Sequence, residues 1–444
     1  MYICSDKDLV MREKKVAFYT LGCKLNFAET STIARQFNDA GYTRVDWNDL
    51  ADVYIINTCT VTDNADKRFR YLIHGVRKRA PQSRIVAIGC YAQINPSEIV
   101  ETTGIDLVLG IKDKFDIIKH LNALDNESSI PQVIECDIHS PLPYHGAYSL
   151  AERTRAFLKI QDGCDYRCTY CTIPLARGGS RSENLDSIIS SAREIVRNGT
   201  REIVLTGVNT GDWGRGLDGK HSFIEVVKAL DEIEGLERVR ISSIEPNLLT
   251  DEILEFISTS RRFVHHFHVP LQSGSDNTLR AMKRRYNTDG YRARIDKIKS
   301  LMSDACIGAD VIVGFPTESD SDFNETLEFI KSLPLSYLHV FTYSERENTP
   351  AAQMEVSVPH TVRNSRSKIL HLLGEEKRNT FYREHIGSVR PVLWESDIKD
   401  GYITGFTDNY IKVKHLYDES LPCSITRVTL TGIDTDGTMM CKDI

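Results

Sequence analysis

Three short apolar runs, at residues 16–23, 52–59 and 84–90, dominate the first part of the chain, and each stops at a cysteine. Between the second and third, Phe69, Leu72, Ile73 and Val76 recur at helical spacing. Strand and helix patterns in alternation predict a parallel, doubly wound sheet over residues 14–130. Residues 131–150 hold prolines and scattered His and Gly with little periodicity, the pattern of a linker. A second βα series then begins. Apolar runs at 155–160, 202–207, 238–244, 265–271, 307–315 and 337–343 are separated by helical patterns such as 186–198 and 223–233. Such a series predicts an open or partial (β/α) barrel over 151–380, with ligands at the C-terminal strand ends. A polar helix over 361–385 leads into a segment, 381–444, of short strands (VRPVLWE, GYITGFT, YIKVKHL, SITRVTLTGI) spaced as in a small antiparallel β-barrel.

Composition narrows this picture. A chain of 444 residues is too long for one ordinary core, and 41% hydrophobic with 26% charged residues is typical of soluble globular proteins. No apolar run approaches the roughly 20 residues of a membrane helix. The first fifteen residues lack the apolar stretch of a signal peptide, so a loose lead-in (with Met11 as an alternative start), a cytoplasmic location, no membrane partner and a monomer are expected. A net charge of -7 argues against a broadly basic nucleic-acid binder, although local patches override net charge.

Eleven cysteines are many for a compartment in which disulfides rarely persist. Cys164, Cys168 and Cys171 sit in GCDYRCTYC, directly after the first barrel strand. Thiolates at this spacing wrap one face of a cubane, because one short loop aims them at a common centre. Such a loop supplies three ligands to a [4Fe–4S] cluster whose four irons usually take four, and the open iron becomes a place to bind a substrate. A zinc knuckle is the competing reading, but zinc favours paired CxxC ligands and no second pair lies nearby.

Cys23, Cys59 and Cys90 are separated by 36 and 31 residues, yet each ends an apolar strand, in TLGC, INTC and AIGC. Adjacent parallel strands bring such ends together over the ligand-binding crevice. Any one of them alone reads as a small apolar residue; three in equivalent positions read as ligands. Gly22 and Gly89 are expected to leave room for a bulky inorganic group, and Asn57 to help turn the second loop. The remaining cysteines, Cys4, Cys136, Cys306, Cys423 and Cys441, show no pattern and read as buried small hydrophobes.

The CxxxCxxC loop after a first barrel strand resembles the radical S-adenosylmethionine superfamily, and Tyr170, just before the last cysteine, fits that likeness. With the three dispersed cysteines and a terminal β-barrel, the chain after residue 14 resembles the methylthiotransferase family. The motifs are TLGCKLN, INTCTVT, GCYAQ, KIQDGCDYRCTYCTIPLARG, LTGVNTG, ISSIEP, HVPLQSGSD and VGFPTE, and the end of the chain resembles the RNA-binding TRAM barrel. The resemblance implies two [4Fe–4S] clusters and S-adenosylmethionine (SAM). One SAM methylates sulfur carried on the second cluster; another, bound at the open iron, is cleaved to a 5′-deoxyadenosyl radical that removes hydrogen from the substrate. The substrate radical then takes the methylthio group. No side-chain acid–base pair is needed for the abstraction and none is nominated. Gly207, Asn209, Ser242, Ser243, Gln272 and Gly314 are candidate SAM contacts.

Two branches of that family act on adenosine 37 of tRNA, and a third on an aspartate of a small-subunit ribosomal protein. Lys24 after the first cysteine resembles the N6-threonylcarbamoyladenosine branch, where a cation suits the substrate carboxylate. The isopentenyladenosine and ribosomal-protein branches remain as alternatives. A non-catalytic iron–sulfur electron carrier or RNA-binding protein is the rival of another class. A flavodoxin or ferredoxin is the expected electron donor; the sulfur donor is unassigned. RNA contacts need local positive charge. Residues 67–84 carry Lys67, Arg68, Arg70, Arg77, Lys78, Arg79 and Arg84 and no acid, and Arg280, Lys283, Arg284 and Arg285 form a second candidate patch. In the acidic terminal segment Lys412 and Lys414, with Tyr410 for stacking, are the candidates.

Overall fold

A computed structural model describes residues 13–60, 63–101, 104–124, 131–138, 140, 142–150 and 154–444, without the side chains of 63–66. The lead-in, with Met11 and Cys4, lies outside the described residues. The chain divides into two compact units, one ending at Pro143 and the other beginning at Tyr144.

The first unit is a six-stranded sheet of β1 (Lys14–Thr20), β2 (Tyr42–Val45), β3 (Val53–Thr58), β4 (Arg84–Gly89), β5 (Leu107–Leu109) and β6 (Gln132–Ile134) in the order β2-β1-β3-β4-β5-β6. Every pairing is parallel. The strands alternate between two cores. Tyr54, Ile56, Ile85 and Ala87 pack with Phe69, Leu72, Ile73 and Val76 of helix Asp63–Arg79 on one face. Val53, Ile55, Val86 and Ile88 pack with Ile33 and Phe37 of helix Lys24–Asp39 on the other. Helices on both faces make the sheet doubly wound, as the periodicity predicts. The stretch 131–150, expected to be a linker, carries a strand at each end: β6 completes this sheet, and β7 (Ala147–Tyr148) pairs antiparallel with the first barrel strand of the second unit.

In that second unit the barrel strands are β8 (Arg155–Lys159), the short hairpin strands β9 (Gln161–Asp162) and β10 (Arg181–Ser182), then β11 (Glu202–Thr206), β12 (Arg238–Ile241), β13 (His266–His268), β14 (Cys306–Val313) and β15 (Tyr337–Thr342). Parallel pairings run β8–β11–β12 and β13–β14–β15, and the bridges Val239–Phe263 and Ser243–His268 join the two sets. The result is an open arc of six main strands. Residues such as Leu158, Leu205, Ile241, Phe267 and Val311 face the surrounding helices. The alternate positions, among them Lys159, Arg240, His268 and Asp310, point to the other face, the lumen.

After helix His360–Glu384 come β16 (Val389–Lys399), β17 (Tyr402–Thr407), β18 (Lys412–Leu416), β19 (Ile425–Ile433) and β20 (Met439–Asp443), which form a closed barrel. It is antiparallel except where β18 and β20 meet in parallel to close it. Its attachment to the larger barrel is polar as well as apolar. Arg238 donates to the carbonyls of Phe406 and Pro391 at 3.1 and 2.8 Å, Arg155 pairs with Glu395 at 2.7 Å, and Arg390 pairs with Asp304 at 2.6 Å. His266 stacks on Tyr410 with ring centroids 4.1 Å apart. Tyr410 is thus spent inside the attachment, not exposed as a stacking platform. Lys414 is held by Asp434 and Asp436. Of the terminal candidates only Lys412 is exposed.

Candidate functional site

Two thiol constellations stand at C-terminal strand ends, one in each unit. In the first unit the strand order reverses between β1 and β3, the switch point at which open α/β sheets bind ligands. Cys23 follows β1, Cys59 follows β3 and Cys90 follows β4, on three neighbouring strands. Polar clamps tie the three loops. Asn26, buried one turn after Cys23, donates from Nδ2 to the carbonyls of Leu21 and Thr58, both at 3.0 Å. Asn57 donates to the Asn26 carbonyl at 3.0 Å and to Thr30 Oγ1 at 3.1 Å. Thr58 Oγ1 donates to the Ile88 carbonyl at 2.6 Å and accepts from the Ala92 amide at 3.1 Å. Asn57 therefore ties β3 to a helix and does not shape its own loop.

The two glycines also act differently from expectation. Gly22 and Gly89 have φ of +102° and +98°, where a side chain is strained. A Cβ on Gly22 would lie 2.9 Å from Cys59 Sγ, and one on Gly89 2.4 Å from Asn57 Oδ1 and 2.6 Å from the Thr58 carbonyl. Their missing side chains let the loops approach one another and do not leave room for a ligand. Cys23 is exposed, Cys59 and Cys90 buried. A soft, thiolate-binding group fits this donor set.

In the second unit one short loop carries Cys164, Cys168 and Cys171. The Cys164 amide donates to the Gly178 carbonyl at 3.0 Å, and the Cys171 amide to the Cys168 carbonyl at 3.1 Å. Gly163, at φ +70°, packs so tightly that a Cβ would lie 2.0 Å from the Gly179 carbonyl oxygen. Burial pushes the thiol of Cys164 up to about 12 and that of Cys171 up to about 11; burial raises Cys168 too, against the nearby Arg284. Thiols so desolvated become thiolates against a bound cation, which fits three ligands of an iron–sulfur cluster.

Around this loop the candidate SAM contacts divide. Asn209 is 3% exposed and neither polar atom of its side-chain amide has a partner among the described residues, while its backbone N–H donates to Gln161 Oε1 at 2.8 Å. A buried amide without partners points to a polar ligand. Gly207 faces Gln161, whose Oε1 would be 3.0 Å from a Cβ there. Ser242 lies 3.2 Å from Thr210 through their hydroxyls, and Ser243 is exposed on the bridge to His268. Gln272 holds φ +66°, a strained setting for a non-glycine residue at a strand end. Gly314 is taken up by packing: a Cβ would lie 2.2 Å from Arg363 Cγ. Half-buried Tyr170 sets its hydroxyl 3.4 Å from Arg284 Nη1.

Several groups at this site carry no periodic signal in the sequence. Gln161 Nε2 donates to the carbonyls of Asp162 and Gly163 and to Ser180 Oγ, at 2.8–3.0 Å, and so holds the loop from below. Buried Asp162 takes Lys159, Arg177 and Arg181 at 2.8–2.9 Å. In the lumen Asp310 takes His268 at 2.8 Å and His339 at 3.3 Å, and is held below the usual carboxylate range despite its burial.

The basic helix Asp63–Arg79 is less one-sided than its sequence. Arg77 turns inward to the carbonyls of Gly104 and Ser83 at 2.7 and 2.6 Å and to Asp106 at 2.5 Å. Arg84 also pairs with Asp106, Arg79 packs over Trp47 and Tyr54, and Arg70 pairs with Glu98. Lys67, Arg68 and Lys78 are exposed, as is Lys24 beside Cys23. In the second patch, Arg284 is buried and Arg285 lies over the Tyr166 ring at 3.8 Å.

Comparison with known proteins meets this geometry segment by segment. Residues 158–330 match the Radical SAM superfamily, and residues 15–110 match the family described as Uncharacterized protein family UPF0004. The chain is 38% identical over 424 residues to "Threonylcarbamoyladenosine tRNA methylthiotransferase MtaB" of Bacillus subtilis, covering 94% of this chain and 93% of that protein. It belongs to the radical SAM methylthiotransferase family. It is thus an enzyme that transfers a methylthio group, and the family implies SAM and a [4Fe–4S] cluster. The protein of the same name in Thermotoga maritima is 35% identical, covering 97% of both chains. The "tRNA-2-methylthio-N(6)-dimethylallyladenosine synthase" of Clostridium tetani is 33% identical, covering 89% of this chain and 90% of that one. Among solved structures, the radical SAM methyltransferase TsrM of Kitasatospora setae superposes with a TM-score of 0.56 at 13% identity, over 77% of this chain and 75% of that one, a likeness of fold alone. No described helix is long and apolar enough to cross a membrane.

Proposed function

We propose that this chain converts N6-threonylcarbamoyladenosine 37 of tRNA, beside the anticodon, to its 2-methylthio derivative. The observation that carries the reading is near-full-length identity of 35–38% to four relatives named for threonylcarbamoyladenosine, against 30–33% for those named for dimethylallyladenosine. In this role Cys164, Cys168 and Cys171 hold one [4Fe–4S] cluster, and Cys23, Cys59 and Cys90 hold a second. When bound, these groups supply the electron that cleaves SAM and the sulfur that ends on the substrate.

The chain's own residues bind and orient. Asn209 offers an unsatisfied donor and acceptor to the polar groups of SAM, with Gly207, Ser242, Ser243 and Gln272 at the neighbouring strand ends. Lys67, Arg68, Lys78 and, at the far end of the chain, Lys412 supply charge for RNA phosphates, while Arg70 and Arg77 are drawn into protein contacts. Lys24 beside Cys23 supplies a cation for the threonylcarbamoyl carboxylate. A flavodoxin or ferredoxin delivers electrons, and the site of action is the cytoplasm. Nucleoside analysis tests the substrate. Reconstituted enzyme with SAM and reductant is expected to yield 2-methylthio product from tRNA bearing threonylcarbamoyladenosine and none from tRNA bearing isopentenyladenosine. The reverse pattern overturns the assignment.

A further inference from the structure

We infer that Arg284 is a positioning residue for the electron chemistry: it donates to the sulfur of Cys168 and raises the reduction potential of the cluster beside it, with Glu245 opposing it. The inference rests on Cys164, Cys168 and Cys171 being the ligands of that cluster. In the sequence Arg284 belongs to a basic run. In the structure helix Asp276–Ala281 ends just before it, and Lys283 takes φ +55°, which reverses the chain. Arg284 is carried inward, its side chain 3% exposed.

Each nitrogen of its guanidinium has a protein acceptor. Nε donates to Tyr286 Oη at 3.2 Å, Nη1 to Cys168 Sγ at 3.1 Å, and Nη2 to Glu245, with which it forms an ion pair. The cation also lies over the Tyr286 ring at 5.0 Å, and Tyr286 Oη is anchored to the carbonyls of Pro270 and Leu271 at 2.8 and 2.9 Å. A fork so occupied is not built to take an anionic substrate; it is aimed at a ligand sulfur. Reduction adds one electron to a cluster. A buried cation and an N–H···S hydrogen bond favour the more negative state, so the potential rises. Glu245, the carboxylate paired with Arg284 beside Cys168, acts in the opposite sense, because a negative charge opposes the more negative state. Arginine suits the place because it stays charged and its planar fork fixes direction.

The test uses the full-length chain carrying Cys23→Ala/Cys59→Ala/Cys90→Ala, reconstituted without SAM, so that one cluster is observed. Its potential is read by redox titration followed by electron paramagnetic resonance. Arg284→Gln is expected to lower the reduced-to-oxidised ratio at a fixed poise about tenfold, which is about 59 mV for a one-electron couple. Glu245→Gln moves the potential up, and Arg284→Lys falls between Arg284→Gln and the parent. A merely structural ion pair would not give opposite signs. Potentials that stay at the parent value, or that move the same way in Arg284→Gln and Glu245→Gln, overturn the proposal. Where Arg284→Gln fails to hold iron, the signs of Arg284→Lys and Glu245→Gln decide. Absence of a cluster from the parent background overturns the ligand assignment, and this proposal with it.

Discussion

The two cysteine constellations reach similar ends by opposite means. Cys164, Cys168 and Cys171 are gathered by eight consecutive residues, whose loop is set by near contacts such as Cys171 on Cys168 and anchored from afar by Thr169, which meets the Met282 carbonyl at 3.2 Å. Cys23, Cys59 and Cys90 are gathered only after β1, β3 and β4 have paired in register. The first is a property of a loop, the second of a topology. A local site tolerates change in the distant sheet, while a topological one inherits the stability of every clamp between its loops.

The largest expected effect separates their roles. Cys164→Ala/Cys168→Ala/Cys171→Ala should hold about four of about eight irons and form neither 5′-deoxyadenosine nor methylthio product. Cys23→Ala/Cys59→Ala/Cys90→Ala should also hold about four, yet still release 5′-deoxyadenosine while losing the product. Release abolished in both variants would break the comparison. A smaller effect is expected of Gly89→Ala, which needs a strained φ and meets the Thr58 carbonyl and Asn57. It should cost roughly 1–3 kcal/mol and reduce iron towards four, leaving SAM cleavage in place. The smallest is Asn247→Ala, which removes a 2.7 Å bond to Tyr166 at the rim of the first loop. About 1 kcal/mol in thermal unfolding with full iron content is the expected outcome.

The same contrast explains what could be read in advance. Six barrel strands and the amphipathic face of Phe69, Leu72, Ile73 and Val76 were legible because long apolar periods report burial directly. Strands β2, β5, β6 and β20 were not read; pairing with their neighbours in the sheet decides them. Both cysteine sets were visible, one from spacing and the other from repeated position at strand ends. The polar residues that hold them were not. Asn26, Thr58, Gln161 and Arg284 look like ordinary surface residues until the backbone turns them inward. Arg77 and Tyr410 show the converse, since charge and aromaticity in a sequence do not tell which way a side chain faces.

The attachment of the terminal barrel bears on how the enzyme is made. Arg155, Arg238 and Arg240 lie on early strands of the larger barrel, but their partners Glu395, Phe406, Pro391 and the Tyr410 ring belong to the last part of the chain. During synthesis, at roughly 5–20 residues per second, Arg155 and Arg238 wait for these late partners, while Glu202, already made on β11, holds Arg240 at 2.9 Å and lies 3.8 Å from Arg238. Docking of the small barrel is therefore a late step in the folding of this unit, and a chain that had not yet made it would present Arg155 and Arg238 without these partners to whatever chaperone or protease meets it.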